Sequence, residues 1–132
     1  HVFMPPEMYQ PINLFDYVYN SILFICSILS INTKIIISST INIDHNLKSE
    51  KKVIGICNSL DANIYINSKG GKNLYNYDNF KKNKIVLKFL ETNDLTYYQL
   101  SKKFIPYLSI IDVLMFNGIS ETKNLLNEFQ LK

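Results

Sequence analysis

The sequence predicts an α/β fold: a partial parallel sheet flanked by helices, in a Rossmann-like three-layer arrangement that lacks its N-terminal strands. Helix-like and strand-like apolar patterns alternate along the chain, and this alternation is typical of parallel sheets covered by helices. Three strand-like runs occur in 132 residues, which is few for an open sheet of this class. We therefore expect further strands to precede residue 1 in the native protein.

The first helix is predicted by a capping residue and by helical spacing. Residues 1–12 contain three prolines, which favour an extended segment, and residues 13–132 are expected to form a single domain. Asn13 is a typical N-cap, and apolar side chains then recur at helical spacing until the helix ends near Ser30.

The predicted strands are short apolar runs that are rich in β-branched residues. They cover residues 34–37, 62–66 and 85–90. A helix is predicted from Ser49 to Asp61, between the first two strands, because its apolar residues share one face. A short helical turn over residues 78–82 and an extended piece over residues 96–99 complete this part of the chain.

Two further helices are predicted at the C-terminal end. Ser109 and Asp112 have the spacing of a capping box, with Asp in place of the usual Glu, and Gly118 suits the position that ends a helix. The last helix is expected over residues 120–129. Its inward-facing side chains are expected to be Leu125, Leu126 and Phe129.

Composition and charge limit the function classes. The net charge is +3, and the 14 basic residues are all lysines scattered along the chain. A nucleic-acid-binding protein usually has a dense basic stripe, so we expect no nucleic-acid partner. No apolar run is long enough to span a membrane, and a hydrophobic content of 47% is typical of a globular domain.

Cysteine and histidine usage indicates the compartment and argues against a metal. Cys26 and Cys57 each lie in an apolar run, which indicates buried, reduced thiols and a cytoplasmic location. His1 and His45 have no further ligands at metal-binding spacing, so neither a metal nor a cofactor is expected.

The stretch TYYQLSKKFIPYLSIIDVLMFNG is the most specific feature of the chain, and a strand ending in YIN, followed by GG and LY, is the second. The stretches NLFDYVYNSILFICSIL, IIISST and IVLKFL accompany them. In this order they resemble the C-terminal part of the WbqC-like protein family over nearly all of residues 13–131. Two features depart from the family: its N-terminal signature is missing, and Lys52 stands where an arginine is usual.

The resemblance implies a role in bacterial O-antigen, lipopolysaccharide or related surface-polysaccharide biosynthesis. It implies a small-molecule substrate and a transferase-type enzyme that acts on a nucleotide-linked sugar or on an activated acyl or aminoacyl donor. The alternative is a non-catalytic binding or scaffolding module of the same pathway, which the absence of arginine also fits. A third interpretation, a nucleotidyltransferase-like Rossmann half, lacks the Ile-Arg pair that its motif requires. The oligomeric state is left open.

Two serines follow the first predicted strand. Ser38 and Ser39 come directly after residues 34–37, and open α/β sheets bind ligands outside the carboxyl ends of their strands. Their hydroxyl and backbone N–H groups suit a phosphate, and the family resemblance includes both serines. The alternative is an ordinary turn with local side-chain capping.

A loop with two glycines follows the second predicted strand, from Asn67 to Lys72. Gly70 and Gly71 allow a positive φ and the close approach of a ligand to the backbone, and Lys72 suits the neutralisation of a phosphate. The loop lacks the glycine and Ser/Thr positions of a P-loop. The alternative is a flexible connector.

The third candidate site combines four polar residues of the C-terminal part. Tyr97 and Gln99 lie on one face of an extended piece, because side chains alternate along a strand, and both suit hydrogen bonds to a sugar or base. Asp112 is the candidate catalytic residue, as a general base, and Ser109 is a candidate substrate-binding residue. The alternative for these last two is helix capping, which is compatible with a position at a pocket wall. We expect Ser39, the paired glycines and the Tyr97–Gln99 segment to meet at one cleft.

Overall fold

The computed structural model describes residues 13–132, and the predicted extended segment 1–12 lies outside the described residues. The fold is mixed α/β. Its helices and strands are α1 (Leu14–Ile28), α2 (Ser49–Ser59), β1 (Ile64–Ser68), α3 (Tyr77–Lys82), β2 (Val86–Thr92), α4 (Ile110–Leu125) and β3 (Phe129–Leu131). Short 3-10 helices cover Ser38–Thr40 and Lys69–Leu74.

The chain divides after Lys34 into two compact units, and the first contains α1. Asn13 caps this helix as predicted, because its Oδ1 accepts a hydrogen bond from the backbone N–H of Asp16 at 3.0 Å. Ser30, which follows the helix, has a φ of 56°, a left-handed conformation typical of helix ends. The prediction of one domain over residues 13–132 stays a prediction.

The second unit contains the sheet, whose strand order is β1-β2-β3. β1 pairs with β2 in parallel, with Ile64 opposite Val86, so the predicted parallel pairing of these two strands is confirmed. β3 pairs with β2 antiparallel, with Leu131 opposite Leu90. The sheet is therefore mixed, and the antiparallel strand β3 departs from the partial parallel sheet that the sequence predicted.

The prediction of a helix up to residue 129 is wrong, because Phe129 begins β3. Lys132 and Phe89 exchange two backbone hydrogen bonds, of 2.8 and 3.0 Å, so pairing with the edge of β2 overrides the helical spacing of this segment. Leu126 and Phe129 are each 39% exposed and do not face a core as expected.

The predicted strand over residues 34–37 is also absent. Ile37 has an extended backbone, with φ of −76° and ψ of 116°, but a strand also needs a hydrogen-bonded neighbour. The segment instead leads into the 3-10 turn, where the N–H of Thr40 donates to the carbonyl of Ile37 at 3.0 Å. The β-branched residues of this segment favour an extended backbone, but no neighbouring strand pairs with it among the described residues.

The core of the second unit lies between β2, α3 and α2. Phe80 and Phe89 are fully buried, together with Cys57, Ile85 and Leu87. Tyr65 stacks on Phe80 with ring centroids 5.6 Å apart. Cys57 is buried as predicted, and this burial raises the pKa of its thiol, whereas Cys26 is half-buried. Among residues 13–132, no helix combines the length and the apolar character needed to cross a bilayer.

Gly118 interrupts α4 at the position where the sequence predicted a helix end. Its φ of 70° and ψ of 178° lie in a region that essentially only glycine adopts. Behind the kink, the hydroxyl of the fully buried Thr122 donates to the carbonyl of Gly118 at 2.6 Å. The kink therefore sets the path from α4 to β3.

The substitution Gly118→Ala is expected to lower the free energy of unfolding by about 1–3 kcal/mol, because alanine is strained in this conformation. Gly70→Ala is the matched control, since Gly70 has no positive φ and a Cβ there would meet nothing within 4 Å. Urea unfolding of both variants measures the difference, and equal stabilities would contradict the account of the kink.

Candidate functional site

A hydrogen-bond network at the start of α4 joins three of the predicted site residues. The hydroxyl of Tyr97 donates to Oδ2 of Asp112 at 2.7 Å. The amide Nε2 of Gln99 donates to the same oxygen at 3.3 Å. The structure thus brings together Tyr97 and Gln99, which belong to the segment after β2, and Asp112, which belongs to α4.

Gln99 also closes the loop that follows it. Its Oε1 accepts from the N–H of Ile105 at 2.8 Å, and its Nε2 donates to the carbonyl of Ile105 at 3.0 Å. The side chain is buried, and both of its polar atoms are engaged. Gln99 therefore positions this loop against Asp112, and direct contact of Gln99 with a ligand stays a prediction.

Ser109 caps α4, as the alternative interpretation proposed. Its Oγ accepts from the N–H of Ile111 at 3.2 Å. Asp112 donates its own backbone N–H to the carbonyl of Ser109 at 2.9 Å. The carboxylate of Asp112, however, accepts hydrogen bonds from Tyr97 and Gln99. Ser109 is therefore the residue whose side chain caps α4.

A cavity of about 390 Å³ opens at the carboxyl end of β2. Tyr97 contributes to its wall and contacts Phe104 edge-on, with ring centroids 5.3 Å apart. Its lining consists of residues 92–97, Phe104, Pro106, Tyr107, Leu108 and Val113. This is the place where a ligand of an open α/β sheet is expected.

Two residues of this cavity were missed by sequence reasoning. Asp94 is an exposed carboxylate in the wall, and Tyr107 is 89% exposed with a φ of 60°. A positive φ is uncommon for a non-glycine residue and has no signature in the sequence. Asp94 follows the end of β2, and this position after a strand is the one feature of the sequence that indicates a place in the site.

The segment from Asn67 to Lys72 begins on β1 and continues in a 3-10 helix. Gly71 is buried, and a Cβ at this position would lie 2.6 Å from Nδ2 of Asn67. A side chain at this position would therefore require the Asn67 side chain to shift. The expected positive φ is absent at Gly70 and Gly71; among the described glycines it occurs at Gly118.

Lysines surround Glu91 at the same end of the sheet. Nζ of Lys132 lies 2.6 Å from Oε2 of Glu91, and Nζ of Lys69 lies 3.6 Å from it. The hydrogen bond from Lys132 lowers the pKa of the Glu91 carboxyl. Partial desolvation raises this pKa, and the charges of Lys132, Lys69 and Lys72 lower it further. Three lysines thus surround the carboxylate of Glu91, which directly precedes Thr92, the first residue of the cavity.

Ser38 and Ser39 lie in their own 3-10 turn, before α2. They line neither the cavity at β2 nor a second, more open one beside Glu50 and residues 73–78. The participation of Ser38 and Ser39 in a common cleft with the glycines and Tyr97 stays a prediction. Within residues 13–132, no three histidine, cysteine or carboxylate side chains cluster closely enough to hold a metal ion.

Burial raises the pKa of Tyr97 above its ordinary value of 10.0. The hydrogen bond to Asp112 and the negative charge of that carboxylate raise it further, whereas the Gln99 hydrogen bond lowers it. The phenol therefore stays protonated at neutral pH and remains a donor toward Asp112. Because the folded-state pKa is the higher one, the stabilisation is present below pH 10 and is lost as the pH rises through the folded pKa.

The substitution Asp112→Asn is expected to move the pKa of Tyr97 down toward 10, because it removes both contributions of the carboxylate. The ring signal of Tyr97 in NMR spectra, assigned from its loss in Tyr97→Phe, reports this pKa in an alkaline titration. Asp61→Asn removes an exposed carboxylate that lines neither cavity and should leave the titration unchanged. An unaltered pKa in Asp112→Asn would rule out the hydrogen bond.

Comparison with known proteins gives one match. A family model described as the WbqC-like protein family matches residues 7–124, which is most of the chain. No curated protein and no solved structure matches the sequence.

Proposed function

The chain belongs to the WbqC-like protein family, and we propose that it is a transferase-type enzyme of bacterial surface-polysaccharide biosynthesis. Its donor is a nucleotide-linked sugar or an activated acyl or aminoacyl compound, and its product is a component of O-antigen, lipopolysaccharide or a related glycan. The observation that carries the proposal is the hydrogen bond of 2.7 Å between Asp112 and Tyr97, a residue that lines the cavity at the end of β2.

The cavity supplies the binding site for the transferred group. Its aromatic and apolar side chains suit the faces of a sugar ring, and Thr92, Asn93 and Thr96 supply polar groups for hydroxyls. A volume of about 390 Å³ falls in the range of small-molecule sites, which is roughly 300–1,000 Å³.

The lysines around Glu91 suit the phosphate of the donor. Lys69 and Lys72 carry charges that Glu91 balances only in part, because Lys132 also pairs with Glu91. Lysine binds phosphate as a point charge, which agrees with a chain that has no arginine. Ser38, Ser39, Asn67 and the glycines Gly70 and Gly71 extend this proposed donor site.

Tyr97 and Asp112 carry the proposed proton transfer. The hydroxyl oxygen of an acceptor forms the new bond to the transferred group, and the bond to the leaving phosphate or carrier breaks with its electron pair. The acceptor proton passes to the phenol oxygen of Tyr97 while the proton of Tyr97 passes to Asp112. This route fits Tyr97, which lines the cavity, and Asp112, which lies behind it.

A second candidate function is a non-catalytic binding or scaffolding module of the same pathway. The hydrogen bonds of Gln99 favour this second function. They join the network to the backbone of Ile105, so the network has a structural role. Such a module would bind its ligand without turnover.

We also propose a cytoplasmic location and a Rossmann-like three-layer arrangement that further strands complete. The exposed surface of the sheet supports the second proposal. β1 is an edge strand among the described residues, and Ile64, Ile66 and Val86 are 45–51% exposed on one face.

A nucleotide-linked sugar is expected to raise the melting temperature of the full chain. A ligand at about 100 times its Kd stabilises the folded state by ~2.7 kcal/mol, provided that it does not bind the unfolded chain. A thermal-shift panel of uridine, guanosine and thymidine diphosphate sugars and of acyl donors, with the free nucleotides as controls, measures this. No shift with any donor would contradict the proposed function.

Asp112→Asn is expected to lower turnover of the donor identified in this way by about 10²–10⁴-fold, because it removes the general base. Donor binding should change by less than about threefold. Release of the leaving group in the presence of acceptor glycan measures turnover, and Asp61→Asn is the matched control. Full activity in Asp112→Asn would exclude this role of Asp112, and donor binding without turnover in the unmodified chain would favour the binding module.

A further inference from the structure

We infer that the cavity at the end of β2 selects a sugar ring that bears a protonated amine, with Asp94 and Tyr107 as its specificity-determining residues. This inference rests on the proposed function and names the class of sugar that the donor carries. It follows from the charge, the hydrogen bonding and the aromatic rings of the cavity wall.

Asp94 is the one carboxylate side chain of the lining. No lysine or histidine lines the cavity, although the chain has 14 lysines. A carboxylate or phosphate on the ligand would therefore meet a negative charge and no compensating cation inside the cavity. An ammonium group would meet an opposite charge instead.

The carboxylate of Asp94 is available to a ligand. It takes part in no hydrogen bond and no ion pair with any side chain or backbone group among residues 13–132. Glu91 offers the contrast on the same stretch of chain, because Lys132 and Lys69 neutralise it. The cavity wall thus presents the unpaired carboxylate of Asp94, three residues after the paired carboxylate of Glu91.

Tyr107 provides an exposed aromatic ring in the lining of the same cavity. Its side chain is 89% exposed, and its φ of 60° is sterically unfavourable for a residue with a Cβ. Aromatic faces pack on sugar rings and attract cations, so Tyr107 complements an amino sugar in both respects.

The test compares three monosaccharides that differ in charge: glucosamine, glucose and glucuronate. Dissociation constants are measured by NMR shift titration of the full chain at about pH 6, where an amine is protonated. Glucosamine is expected to bind roughly tenfold more tightly than glucose, from an ion pair and a cation–π contact of modest strength. Glucuronate is expected to bind more weakly than glucose.

Variants assign the preference to the two residues. Asp94→Asn is expected to reduce the ratio of glucosamine to glucose affinity to about one, and Tyr107→Ala should weaken both sugars. Both side chains are exposed, so folding should be retained, and Asp61→Asn should preserve the preference.

Equal affinities for the three sugars, an undiminished preference in Asp94→Asn, or the absence of sugar binding would each overturn the inference. These outcomes leave the proposed transferase function standing, because that function is decided by the donor-induced rise in melting temperature and by the turnover of Asp112→Asn. A failure of both donor tests together with a glucosamine preference would instead remove the proposed transfer reaction and retain an amino-sugar site.

Discussion

One carboxylate oxygen, Oδ2 of Asp112, organises the candidate site. It accepts from Tyr97 at 2.7 Å and from Gln99 at 3.3 Å, and Gln99 in turn holds both backbone groups of Ile105. The irregular segment after β2 is held at its start by Asn93, whose backbone N–H and side-chain amide both donate to Glu128. Further along, Asp112 at the first turn of α4 is the acceptor that ties Tyr97 of the cavity wall, and Gln99, to the helix.

Local patterns predicted the elements whose causes are local. Asn13 at the start of α1, the helical spacing of α2 and the apolar runs of β1 and β2 each act within a few residues, and each appears in the structure. Strand pairing depends on residues that are distant in the sequence, because an apolar run forms a strand only where a neighbouring strand exchanges hydrogen bonds with it. Residues 34–37 have no such neighbour, whereas Phe129 finds the edge of β2.

The same distinction applies to the site. Tyr97, Gln99 and Asp112 were recognisable because an extended piece and a helix start place polar side chains in a regular way, and the structure brings them together. Tyr107 was not recognisable, because its left-handed backbone results from the fold of the whole segment. The paired glycines suggest conformational freedom in the sequence, whereas in the structure Gly71 leaves room for the side chain of Asn67.

The central claim is that ligands bind in the cavity at the carboxyl end of β2. Mapping the backbone amide shifts of the full chain upon addition of a nucleotide-linked sugar tests it most directly. The account predicts that the largest changes fall on residues 92–97, 107 and 108, with smaller changes at Lys69 and Lys72. Changes confined to the exposed face of the sheet, or to the second cavity beside Glu50, would contradict it.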